Sequence, residues 1–341
     1  MKRKVCLILA LASVFLLSAC GSGGEDKQSS ASDQESTNVE TSTVDTDYPS
    51  KQITIVVPYA AGGASDVMAR IFALKLSEEL DGATVVVENR EGGTGAVGIE
   101  YAYSQPSDGY TMLYLEGNAT LIPHLGYTEV LPSEFVELVR THLQPSLLVV
   151  RSDMAVESLD EFLDYAKSNP EVITIGTAGT GSGPHMTGIQ LGNETGTSYT
   201  FVPFDGGREA AAAAIGGNVD AVIAKASEIQ SGVDSGDLKV LCSFSEERTA
   251  FYPDVPTSVE LGVNVINVGW GGFAVKADCP QEIIDILAEA SAAAAQSQDI
   301  QDLCEQRGYD YAFLAMDEAQ AFVAEQYELN GDMVAALNEA S

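Results

Sequence analysis

The chain has 341 residues, 45% hydrophobic and 20% charged, and its 50 Asp and Glu outweigh 17 Lys and Arg to give a formal net charge of −33. That much apolar side chain can bury a core, while a body this acidic excludes a nucleic-acid partner, whose phosphates require a basic face. Acidity of this kind otherwise serves solubility.

Lys2, Arg3 and Lys4 form a basic start, Val5 to Leu16 an apolar run, and Leu17-Ser18-Ala19-Cys20 a small-residue close. The run is too short to span a bilayer and has the layout of a secretory leader. Its ending resembles a bacterial lipoprotein signal, which implies cleavage after residue 19 and lipidation of Cys20, anchoring the protein to a membrane. Residues 21–47 are Ser, Thr, Gly, Asp and Glu with almost no large apolar side chain. Such a segment cannot offset its ordering entropy by burial, so a disordered acidic tether is expected over 20–47. No later stretch is long and apolar enough for a membrane helix.

From Tyr48 onward strands and helices alternate. ITIVV (53–57) reads as a strand ended by Pro58, followed by a helix over 65–80, a strand over 83–89, a short helix over 96–105 and a strand over 110–115. This βαβαβ order predicts a parallel sheet with glycine-rich turns at the carboxyl ends of its strands. A second alternating block starts near PSLLVV (145–150). Helices are expected over 158–169, after the turn at 181–183, and over 206–218, and strands at VITIGTA, TFVPF, VDAVIA and LKVLCSF. Beyond GWGGFAV (269–275) the pattern is helical: one helix from Pro280 to about Gln298 and another from about Asp317 to Ala336. Cys242, Cys279 and Cys304 are the cysteines of this body; they lack paired spacing, so a zinc site is not expected, and one disulfide or none remains open.

Two loops carry the chemistry. PYAAGGASD (58–66) and REGGTGAVG (90–98) each join a strand to a helix, so each presents backbone N–H groups and a helix N-terminus at one sheet edge. Such an edge binds anions, and glycine lets a ligand approach the backbone closely. Gly93 to Gly98 also matches the dinucleotide fingerprint G-x-G-x-x-G, with Glu116 as the acidic residue about 20 positions on. The intervening helix is short, and an exported protein has little access to free dinucleotide, so no cofactor is expected and an exported oxidoreductase is the weaker alternative. There is no G-x-S-x-G, no H-E-x-x-H and no metal-spaced cluster, so a binding protein rather than an enzyme is expected.

Six blocks in order, YPSKQITIVVPYAAGGASDVMAR, VVVENREGGTGAVG, SDGYTML, GTAGTGSGPHMTG, FVPFDGGREAAAAAIGGNVDAVIA and ERTAFYPDVPTSVELGV, resemble the substrate-binding receptors of tripartite tricarboxylate transporters, also called Bug receptors. The likeness spans essentially all of 48–341. It implies an α/β, type II periplasmic-binding-protein fold: two α/β domains joined by crossing strands with a ligand cleft between. Domain 1 would hold 48–148 and 269–341, and domain 2 149–268. It further implies capture of a small organic anion, a di- or tricarboxylate or related carboxylate, and delivery to the permease subunits of such a transporter by an exported lipoprotein at the outer face of the cytoplasmic membrane or facing a periplasm. The same fold serving a membrane sensor is the other reading.

The loops gripping a carboxylate in that family correspond to the two loops above, which makes Tyr59, Ala60, Gly63, Ala64, Ser65, Asp66, Gly93, Thr94, Gly95 and Ala96 candidate ligand residues of domain 1. Thr180, Gly181, Ser182 and His185, with Phe204, Asp205 and Gly206, are the candidates of domain 2. Each side chain also has a plain structural role: Asp66 as a first-turn carboxylate, Ser65 as an N-cap, Tyr59 packed under its loop, His185 as a structural histidine. Many family members carry Tyr-Lys-Gly where this chain has Phe204-Asp205-Gly206. Asp205 would therefore accept from a ligand hydroxyl or amine, or face solvent.

Overall fold

A computed structural model describes residues 47–340, with side chains to residue 335. The leader, Cys20 and all of the expected tether except Asp47 lie outside the described residues. The body is a mixed α/β fold built on one curled ten-stranded sheet. In its first half β1 (Ile53–Val57) lies between β2 (Val85–Asn89) and β3 (Thr111–Glu116), all parallel, with α1 (Ala64–Glu79) and α2 (Ala96–Ser104) as the crossovers. The β-branched ITIVV run is buried along almost its whole length, as expected of a strand covered on both faces.

β3 then pairs antiparallel with β9 (Val268–Lys276), which pairs antiparallel with β4 (Phe135–Arg151). β4 is the 17-residue strand that crosses between the halves. Residues 135–145 pair with β9, and residues 146–151 pair with β7 (Ala221–Ala224) and β8 (Leu238–Phe244). Pro145 falls at this transfer, where a strand tolerates loss of an N–H donor. The second half continues through β5 (Thr174–Thr177) to β6 (Thr200–Pro203), again parallel, with α5 (Gly183–Thr195), α6 (Gly207–Ile215) and α7 (Ala226–Asp234) among its helices.

Packing follows the same division. Two hydrophobic clusters draw on residues 53–139 and 270–323, with Phe72 stacked on Phe273 at 3.5 Å between ring centroids. Two others draw on residues 147–265. Cys242, Cys279 and Cys304 are buried and unpaired, which settles the disulfide alternatives in favour of none.

Three elements differ from expectation. The strand expected to start near Pro145 starts at Phe135, because Glu137, Arg140, Thr141, His142 and Gln144 interrupt the apolar pattern although most of them are buried. Tertiary partners accept them: Arg140 Nε donates to the Ala312 carbonyl at 3.0 Å, and the His142 ring stacks on Tyr309 at 4.6 Å. The all-helical end contains a strand, β10 (Asp310–Ala315), antiparallel to β4. The helix expected to reach Gln298 stops at Ala295, and a further helix follows over Gln298–Arg307. The last helix, α10, covers Met316–Ala340.

Candidate functional site

The carboxyl ends of β1, β2 and β3 lie along one sheet edge because the strands are parallel, and each runs directly into a helical start. Gly63 precedes α1 and Gly95 precedes α2; neither offers a side-chain cap. At α1 the amides of Ala64, Ser65 and Asp66 keep unmet donors, whereas at α2 the Gly95, Ala96 and Val97 N–H groups already donate to the Gly92 and Gly93 carbonyls and leave those of Gly93 and Thr94; both starts present the positive dipole end that favours an anion. The two loops interlock. Asn89 Nδ2 donates to the Tyr59 carbonyl at 3.0 Å, and a Cβ on Gly98 would stand 2.6 Å from Pro58 Cα, so only glycine permits this approach. Between them the backbone stays left-handed from Gly92 through Gly95, with Thr94 at φ 58. A threonine there is strained, and such strain persists where surrounding structure holds it.

The side chains of the first loop have specific jobs. The Asp66 carboxylate accepts from the Gly62 N–H at 2.9 Å and from the Arg70 guanidinium at 2.8 and 3.0 Å, and these bonds hold it below the usual carboxylate range. It shapes the loop. Ser65 does not cap α1; its hydroxyl donates to Glu116 at 3.0 Å. Tyr59 tucks beneath, its hydroxyl close to Gly95 and within 3.5 Å of Asn118 Nδ2. Burial raises its phenol well above the ordinary value. Ala60 and Gly63 are exposed, as are Gly93 and Thr94, while Ala64 is half-buried and Gly95 and Ala96 are buried.

In the second half, Ser182 caps α5 by accepting from the His185 N–H at 3.3 Å, and its hydroxyl donates to the Gly179 carbonyl at 2.8 Å. His185 Nδ1 accepts from the Gly181 N–H at 3.1 Å, which puts the proton of the neutral ring on Nε2. Its ring stands edge-on to Phe201 at 4.9 Å, and burial lowers its pKa. Thr180, Gly181 and Asp205 are exposed. Phe204 packs against the core beneath α6, and its N–H bonds to the Thr177 carbonyl at 2.9 Å, which brings 204–206 beside 179–182. Gly206 lacks a cap of its own, yet Glu209 Oε2 would stand 2.6 Å from a Cβ placed there. A carboxylate of the chain already neighbours this helix start.

A cavity of about 320 Å³ opens where the halves meet. Glu116 and Asn118 line it beside the first loop, Gly183 and Pro184 at the start of α5, Lys225 at the end of β7, and Trp270 on β9. None of the seventeen candidates expected from the sequence lines it directly: the first loop adjoins it through the bonds of Ser65 to Glu116 and of Tyr59 to Asn118, and the second half through Gly183 and Pro184, next to Ser182 and His185. Burial pushes Glu116 up to about 7, although hydrogen bonds from Tyr59 and Ser65 pull the other way. Lys225 Nζ donates to the Gln144 carbonyl at 2.8 Å and to Ser146 Oγ at 2.9 Å, and burial brings it down to about 8. Sequence reasoning missed Lys225. Its signal was its place, a cation between a strand and a helix in a chain with few cations.

Among the described residues no cluster of His, Cys, Asp and Glu could hold a metal ion, and no helix is long and apolar enough to cross a membrane. Comparison with known proteins identifies the arrangement. The family model described as tripartite tricarboxylate transporter family receptor matches residues 68–339. Protein BugT of Bordetella pertussis is 28% identical over 286 residues, 82% of this chain and 87% of that protein. A crystal structure of a TctC solute-binding protein from Polaromonas superposes with a TM-score of 0.80 at 29% identity, covering 85% of this chain and 99% of that one. MatC from Rhodopseudomonas palustris with bound malate gives a TM-score of 0.62 at 25% identity, covering 84% and 100%. The chain thus has a periplasmic-solute-binding fold, and it belongs to the receptor family of the tripartite tricarboxylate transporters.

Proposed function

We propose that this chain is an extracytoplasmic receptor, anchored through a lipid on Cys20, that captures a small di- or tricarboxylate between two domains and delivers it to the permease subunits of a tripartite tricarboxylate transporter. One observation carries the reading: two uncapped, glycine-led helix starts lie beside a cavity that also holds a cation, Lys225. One ligand carboxylate sits at the free amides of Ala64 to Asp66 and of Gly93 and Thr94 within the 63–66 and 93–96 turns, and the far end of the ligand reaches toward Lys225 and the start of α5. Malate bound to MatC is of the right chemical class. The two domains of this reading are 48–148 with 269–341 and 149–268; the first boundary lies inside β4, three residues past the change of strand partners at 145/146, and the second at the start of β9. Thr180 to His185 and Phe204 to Gly206 form the second lip.

A thermal-shift screen of organic acids tests this, since a ligand that binds only the native state raises the apparent melting temperature. Di- or tricarboxylates should stabilise the protein in a saturable way while matched amines and sugars do not. Stabilisation by none of the acids would overturn the reading.

A further inference from the structure

Away from the site just described, a second cavity of about 510 Å³ lies between α10, the start of β4 and the turn at 132–134, and it shares no lining residue with the first. Its walls are largely apolar, with Leu115, Phe135 and Val323 among them. Glu137 is among the lining residues, only 2% exposed, with neither carboxyl oxygen hydrogen-bonded. The carboxyl crowds Gly272 so closely that no side chain would fit there. Burial alone holds it well above the usual carboxylate range, and no cationic side chain lines the cavity.

An unpartnered buried carboxyl costs free energy, so its natural complement is a donor. The volume far exceeds the roughly 30 Å³ of one water, and the apolar walls offer water few partners. Phe135, Tyr327 and the exposed Glu328 are among the lining residues, and the net charge of −33 draws cations and repels anions. We propose that this cavity is a binding site for a small organic cation, an ammonium whose apolar body fills the pocket and whose N–H groups pair with the Glu137 carboxylate. On binding, the O–H bond of Glu137 breaks and its proton passes to solvent, while the ligand enters already protonated and keeps its charge. The site is independent of the carboxylate cleft.

Calorimetric titration of the full chain with 2-phenylethylamine tests it, with uncharged 2-phenylethanol as the control. Saturable one-to-one binding of the amine is expected, weakened at least about tenfold in Glu137→Gln by loss of a charge-assisted bond. Repeating the titration at pH 7 in buffers of different ionisation heat should show about one proton released per amine bound, and none in the variant. Ala321→Trp, which fills the cavity from an exposed lining position on α10 and so decides the matter should Glu137→Gln fail to fold, must also abolish amine binding. Absence of saturable binding, equal binding of the alcohol, or affinity unchanged by either folded variant would overturn the proposal and leave the cavity to water.

Discussion

Replacing Glu116 with Gln should remove most of the pH dependence of carboxylate binding. Glu116 lines the cavity, accepts from Ser65 at the start of α1, and is pushed up to about 7 by burial. A ligand carboxylate at the same helix start needs Glu116 neutral, because two carboxylates sharing a site repel. With a pKa near 7 the neutral fraction falls from roughly three-quarters at pH 6.5 to about 3% at pH 8.5, so affinity should drop about 25-fold. Lys225, brought down to about 8, loses charge over the same range and adds about a fourfold loss that Glu116→Gln retains. Trp270 is the chain's single tryptophan and lines the cavity, so its fluorescence reports the titration directly. Malate is a suitable probe, since its charge is nearly constant above pH 6.5. Affinity that is flat or rises with pH in the wild type, or an equal slope in the variant, would mean that Glu116 does not oppose the bound carboxylate. The same residue sets a stability trend. Its folded value lies above the ordinary 4.5, so between about pH 4.5 and 7 the native state holds more protons than the unfolded chain. Stability contributed by the protonated form is lost as pH rises through that window, by about 3 kcal/mol, and Glu116→Gln should restore it at pH 8 in denaturant unfolding.

Other variants probe the remaining parts. Gly63 has extended backbone, φ −71 and ψ 175, so Gly63→Asp should cap α1, gain a few tenths of a kcal/mol in urea unfolding, and abolish carboxylate binding, while Gly63→Ala keeps it; unaltered affinity in Gly63→Asp would place the ligand elsewhere. Lys225→Met should weaken carboxylate binding by about 10-fold or more, the scale of one charge-assisted bond of about 1.5–3 kcal/mol, and calorimetry reads it. Cys20→Ser should shift the protein from the membrane to the soluble fraction or leave it unprocessed, and intact mass distinguishes these from an unlipidated wild type cut at another bond.

Where side-chain pattern and burial agree, the sequence was legible: ITIVV, the glycine turns and the strand–helix alternation all stand where periodicity places them. The first half of β4 was not, because the Arg140 guanidinium and the face of the His142 ring are covered by β10, α10 and their neighbours, which lie over 150 residues away in the chain, although the His142 ring nitrogens also bond locally to Thr141 and Gln144. β10 escaped for a related reason: its apolar residues are only half-buried and its partner strand was itself unread. In the site, the glycine loops were visible as anion-binding backbone, but Glu116 and Lys225 acquire their shifted pKa values from a cavity that no local pattern encodes. Gly95 shows the converse. Its φ of 105 means that Gly95→Val would strain the loop itself, whereas Gly63 has ordinary extended backbone and is the cleaner probe, although a Cβ there would stand 3.2 Å from the Ala60 carbonyl oxygen.

The most direct measurement is a crystal structure of the full-length protein with saturating malate. One carboxylate should lie within about 2.7–3.2 Å of the backbone amides of Ser65, Asp66, Gly93 and Thr94, with the other end of the ligand turned toward Lys225. A ligand bound away from both helix starts, or one held by side chains alone, would contradict this placement.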